Sequence, residues 1–444
     1  TRVRSSAASD VYKRQKQDTP NMENNINQLK KKSSIKTSSS AKRYYIKSLI
    51  AIAVFLLVIT LELVNNGGYF DEIIGVLSAI YLIFFRTRIE RRDMYTLIIM
   101  GIVVAIGVIS NLVSGVSHNY FSIVIDIVAE TKLLFAYFAM KYFLNDEEKK
   151  ATINMLVSLA KLFTIGAFVC SIISLFTDIG MTGEERYGIG SFKFIFSFNF
   201  QYIAVYMLFF GILVCNTKMG NKEKIYYYAM AIISLVLATK APPIMFSIIF
   251  IGLAFYFKKH ERLSPIVIII GVIILIVAGW FQIETYILNE NAPRRLFFEY
   301  AFKTANNYFP LGSGFGTFGS DQAARNYSQL YYQYGFNKLF GMTPEDGSFL
   351  SDTFWPMAIG QFGWVGGILY ISAYIMIFLS FKNNKYNSQT KAFLYAAFLQ
   401  YMIHAVGSAI LSSSAGLIGF MALAIFTVSY DDNQKNKSRL KIHL

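Results

Sequence analysis

The chain has 444 residues, 54% of them hydrophobic and only 16% charged, with a mean hydropathy of +0.42. A soluble domain carries about 25% charged residues, so this balance excludes a disordered chain, a coiled coil and most soluble enzymes, and points to a polytopic membrane protein. The net charge is +15, and residues 1–47 hold twelve Lys or Arg against three Asp or Glu; a positive-inside bias accounts for this better than nucleic-acid binding does.

Residues 1–47 are basic, Ser-rich and without helical periodicity, which predicts a disordered cytoplasmic tail. The stretch from Ser5 to Gln15 resembles a translated sequencing adapter, so residues 1–21 carry no functional weight. The first apolar run lacks a small-residue cleavage pattern after it and reads as a signal anchor.

Twelve apolar helices follow, near 48–64, 69–85, 95–114, 120–143, 152–176, 197–215, 225–240, 242–257, 264–282, 354–380, 390–409 and 412–430. Pro242 and Pro243 end one helix and open the next. Every second loop is basic, beginning with Arg86, Arg88, Arg91 and Arg92, which predicts both termini inside. The expected organisation is therefore a tail at 1–47, nine helices over 48–282, an outer loop at 283–353, three helices over 354–430 and a cytoplasmic tail at 431–444.

Several helices carry charge at membrane depth: Glu62, Asp126, Glu130, Lys132 and Lys161. Such groups are costly and pair or line a cavity. A Glu130–Lys161 pair is the expected arrangement, with a proton or ion relay as the alternative. Asp71 and Glu72 suit a helix N-terminus, or a divalent cation. The histidines His118, His260, His404 and His443 are scattered, so no metal site and no cofactor is expected. Cys170 and Cys215 form no redox motif.

The loop 283–353 is polar, with five Lys or Arg and seven Asp or Glu. Its aromatic-rich stretches Leu296 to Tyr308 and Tyr327 to Phe340 predict a partly helical lobe on the outer leaflet. Four sites fall on the outer face: Gly183 to Gly188 with Arg186, Lys240, the pair Arg294 and Arg295, and Ser351 to Trp355 with Asp352. Cations gathered there suit an anionic lipid head group, since Arg forks bind phosphate oxygens and Lys acts as a point charge; interfacial snorkelling is the alternative for each alone. Gly314 to Gly319 matches GxGxxG, but the dinucleotide reading needs a βαβ setting and is rejected. A tight turn that lets backbone approach a substrate at Gly314 and Gly316, or a purely structural turn, remains.

The segment from Arg294 to Gly366 carries a resemblance. Arg295-Leu296, then Pro310 to Phe318, then Ser351-Asp352-Thr353-Phe354-Trp355 with Gln361-Phe362-Gly363-Trp364-Val365-Gly366 resembles the O-antigen ligase and polymerase superfamily, most of all the Wzy-type polymerases of capsular polysaccharide and O-antigen. The resemblance implies an all-α fold of about twelve transmembrane helices, similar to C-type glycosyltransferases, in the bacterial cytoplasmic (inner) membrane. It implies transfer of a growing glycan from undecaprenyl diphosphate to a lipid-linked repeat unit at the outer face. Metal and cofactor are not used. The implied partners are undecaprenyl-diphosphate-linked oligosaccharides, the bilayer, a chain-length regulator and a flippase.

Carried onto this chain, the resemblance makes Arg186 and Arg295 the grip on the diphosphate, with Arg294 beside them. Lys240 takes the place of a basic residue between the seventh and eighth helices, where the family's Ser-Arg is replaced by Lys-Ala-Pro. Asp352 stands where the ligase branch has histidine, which favours the polymerase branch; Asp352 then accepts the proton of the sugar hydroxyl, with Asp346 and Glu345 as substitutes. Tyr331, Trp355 and other loop aromatics suit sugar stacking. A ligase-type transferase, a lipid-linked oligosaccharide flippase or transporter and a membrane scaffold are the competing readings.

Overall fold

The structure, a computed structural model, describes residues 45–65, 68–186, 188–278, 280, 284, 292–382 and 386–429. Nearly all of the tail expected at 1–47, the tail at 431–444 and residues 285–291 of the large loop lie outside the described residues. The chain is mostly helical, with one two-stranded ribbon among the described residues. Among the described residues four helices are long and apolar enough to cross a membrane: α1 (Tyr45–Val64), α3 (Arg91–Ser114), α5 (Asp146–Ile173) and α13 (Phe354–Ser380). Between and after them run α2 (Phe70–Phe84), α4 (Tyr120–Phe143), α6 (Asn199–Cys215), α7 (Asn221–Val236), α8 (Ala241–Tyr256), α9 (Pro265–Ala278), α14 (Ser388–His404) and α15 (Ser414–Phe426).

Local chemistry sets the helix ends. Asn145 accepts from the Glu148 N–H at 2.9 Å, and Glu148 Oε2 accepts from the Asn145 N–H at 2.8 Å, a reciprocal cap that starts α5. That cap begins the helix six residues before the expected 152. The break at the proline pair is present: α7 ends at Val236 and α8 opens at Ala241, with proline in its first turn.

The bundle is inverted relative to a soluble protein. Phe84, Leu112 and Val113 point outward at 78%, 76% and 77% exposure, while Asp93, Asp126, Glu130 and Lys132 are buried. Helices α6 and α15 are apolar all round and buried along nearly their whole length, so they form the axis. The intramembrane charges find partners other than those expected. Lys132 on α4 donates to Asp71 and Glu72 on α2 at 2.5 and 2.6 Å, so this acidic pair serves a lysine. Lys161 pairs with Glu223 at 2.5 Å instead of with Glu130.

The segment between α9 and α13 has its own core. Helix α10 (Pro293–Asn307) and the short α11 (Asp321–Arg325) and α12 (Gln329–Gln333) enclose Phe297, Phe318, Leu330, Tyr331 and Phe336. The expected helical stretch over Tyr327 to Phe340 is only α12 and one 3-10 turn, because Gly335 adopts φ +73° between them.

The glycine-rich segment after α10 is a plug driven into the bundle. Gly363 breaks α13 with φ +63°, which frees the Gly360 and Gln361 carbonyls; these accept from the Ser313 and Gly314 N–H groups at 3.0 and 2.9 Å. From the other side Asn111 accepts the Phe315 N–H and donates to its carbonyl, both at 2.8 Å, and Asp126 accepts the Gly316 N–H at 2.6 Å.

Candidate functional site

Four separate elements bring charge together. The loop 177–196 folds into a hairpin, β1 (Thr182–Arg186) against β2 (Ile189–Phe192), where no strand was expected. The hairpin is tied to the α7–α8 linker: Phe192 N–H donates to Leu237 O at 3.0 Å and Ser191 Oγ to Ala238 O at 2.5 Å. Asn199, opening α6, donates to Ser191 Oγ and Phe192 O, both at 2.9 Å, and holds the hairpin from below. Two residues after Ala238 the linker presents Lys240 as the N-cap of α8. The preceding Thr239 is held at φ +48°, an uncommon setting for a β-branched residue.

Arg294 stands in the first turn of α10, where a helix dipole disfavours a cation. Asp352 supplies the compensation: Arg294 Nε and Nη2 donate to Asp352 Oδ2 at 3.0 and 2.8 Å. Both N–H groups go to one carboxylate oxygen. Burial pushes the Asp352 carboxyl above its ordinary range, opposed by the charges of Arg294 and Lys240. Lys240 lies within electrostatic reach of Arg186, Glu184, Arg294 and Asp352. Arg186 donates to Glu184 at 3.1 Å, and that bond, helped by the Lys240 charge, holds the exposed Glu184 carboxyl below its usual range.

The structure thus links Arg186, Lys240, Arg294 and Asp352 through Lys240, which feels the charge of the other three. Arg295 is the next helical position, and successive residues on a helix do not share a face; the bond to Asp352 belongs to Arg294 and not to the arginine ranked first from sequence. Five other expected site residues lie apart from this cluster's charges. Gly314 packs on α3, where a Cβ would come within 2.6 Å of Asn111, and Gly316 turns over α4 with φ +69°; the structural-turn alternative describes both. Tyr331 is fully buried and its hydroxyl accepts the Gly319 N–H at 2.8 Å, so it is a core residue of the lobe and not a stacking platform. Asp346 is exposed in a local turn, accepting the Ser348 N–H at 3.3 Å. Trp355 is half-buried below Asp352 and donates to Met402 O at 3.4 Å.

Sequence reasoning missed His404. It ends α14, and the charges of Lys240 and Arg294 act on it. The following Ala405 accepts the Phe354 N–H at 3.3 Å, which ties it to the segment carrying Asp352. A Cβ at Gly407 would stand 3.4 Å from Arg294 Nη1. Only its position at a helix end could have hinted at this. Among the described residues no cluster of His, Cys, Asp and Glu suited to a metal is found. Compared with protein-family models, curated proteins and solved structures, the chain has no match.

Proposed function

We propose that this chain is a polysaccharide polymerase of the Wzy type, a multi-pass enzyme of the bacterial cytoplasmic membrane with about twelve spans and both termini inside. What carries the reading is the convergence of Lys240 and Arg294 on Asp352, with Arg186 within electrostatic reach of Lys240, from four elements that a membrane would hold at one face. Three cations against the carboxylates of Asp352 and Glu184 leave a surplus of positive charge, and a polyprenyl diphosphate supplies the matching anion. Its hydrocarbon tail suits the apolar outer face of the bundle.

In this reading Arg294 and Lys240, with Arg186 on the hairpin, hold the diphosphate of the donor. The acceptor hydroxyl attacks the anomeric carbon of the donor glycan. The bond from that carbon to the diphosphate oxygen breaks, its electron pair leaves with undecaprenyl diphosphate, and the hydroxyl proton passes to the Asp352 carboxylate. The cations stabilise the departing charge, the electrostatic term that dominates such transfers. Burial raises the proton affinity of Asp352, which suits a base. Partners of this reaction are lipid-linked oligosaccharides, with a flippase supplying them and a chain-length regulator acting on the product.

The test is complementation of the native host lacking the gene, with membrane expression verified. Wild type restores long polymer, whereas Arg294→Ala and Asp352→Ala leave single repeat units. Long polymer in a strain carrying either variant contradicts the reading, and loss of even single units at the outer face assigns the chain to the flippase class.

A further inference from the structure

Three buried polar atoms without a hydrogen-bond partner flank the charged cluster: Thr239 Oγ1, Thr353 Oγ1 and His404 Nδ1. Thr239 precedes Lys240, and Thr353 follows Asp352. His404 adjoins Ala405, which accepts from the residue after Thr353. Thr239 and Thr353 are 6% and 1% exposed. Burying a hydroxyl or an imidazole nitrogen unpaired is costly, and the few such groups in a native chain call for an explanation. Here they come from three elements and border one place.

The chemistry of the set differs from that of the cations. Two hydroxyls and an imidazole both give and accept hydrogen bonds while carrying no fixed charge. That is the pattern that matches the alternating donors and acceptors of sugar hydroxyls. Trp355, two residues after Thr353, adds an aromatic body to the segment. The geometry points to a saccharide subsite, in which Thr353 and His404 hydrogen-bond the acceptor sugar and hold its reacting hydroxyl against Asp352. Thr239 completes the rim next to Lys240. The inference rests on the polymerase reading and adds to it the residues that meet the acceptor, distinct from those that meet the diphosphate.

The subsite separates two effects that a structural role would join. Replacing an unpaired buried polar group by an apolar one of similar shape is neutral or stabilising for folding. Thr353→Val and His404→Phe are therefore expected to melt at or above the wild-type temperature. The full chain in lipid nanodiscs is given lipid-linked repeat units extracted from the host lacking the gene, and polymer is measured at rising concentration. The expected result is a KM raised about tenfold in each variant, as for loss of one hydrogen bond to a buried partner, with kcat within twofold. Inhibition by farnesyl diphosphate, which reports the cations alone, stays within twofold of wild type.

An unchanged KM in Thr353→Val and His404→Phe overturns the subsite, as does an equal loss of farnesyl diphosphate inhibition. If His404→Phe does not accumulate, Thr353→Val alone decides in the same way. Failure of the underlying reading looks different: wild type then makes no polymer from the same repeat units, so no KM is defined for any variant.

Discussion

Burial and Arg294 pull the Asp352 carboxyl in opposite directions, and burial is the larger influence. A base must be unprotonated to act, so the rate should fall on acidification, starting at a higher pH than for an ordinary aspartate. Arg294→Gln removes the charge that opposes burial and shifts this acid limb to still higher pH; a pH–rate profile on purified chain checks the sign. Arg294→Ala should also cost about 10²-fold or more in rate, the usual effect of deleting one donor to a developing oxyanion. Asp352 was legible in the sequence as a candidate, because it stands where the ligase branch of the resembling family has histidine. Its partner was not. Arg294 and Arg295 are adjacent letters, and only the direction of α10 decides which of them faces Asp352. His404 was hidden for another reason: a histidine inside an apolar run reads as core until its neighbours are known.

Most helix positions follow from the apolar runs, since burial against lipid or against α6 and α15 rewards the same residues. The hairpin β1–β2 did not follow, because its strands are short and only β1 is polar and mostly exposed; β2 buries just Ser191 and Phe192, and bonds to the Lys240 linker hold the hairpin. The glycine plug was legible as a turn but not as an anchor. Its stability depends on Asn111 and Asp126, nearly 200 residues away in sequence. Gly363→Ala should be strongly destabilising: a Cβ would come within 2.4 Å of Gly312 N, and the backbone sits at φ +63°. A left-handed setting alone costs of order 1–3 kcal/mol, so the variant should melt several degrees lower in detergent. A melting temperature equal to wild type would show that α13 and the plug can part without loss.

Across the whole molecule the charge distribution separates two tasks. One set of charges is internal and holds helices together, as Lys132 does with Asp71 and Glu72 between α4 and α2. Lys132→Met leaves the buried Asp71 and the partly buried Glu72 without their cation and should cost about 3–5 kcal/mol, read as lost membrane accumulation without a selective loss of activity. The other set gathers at the head of α10 and α13, where the bundle meets the lobe of residues 293–353. The expected topology places that lobe outside, so a cysteine at Asp346 should label with an impermeant reagent in intact cells and one at Lys218 should not. The central claim is that the second set transfers a glycan between lipid carriers. Its most direct test is purified chain in vesicles, given only single lipid-linked repeat units. The account predicts long polymer and released undecaprenyl diphosphate with wild type, and neither with Arg294→Ala. Movement of repeat units across the bilayer without polymer would contradict it.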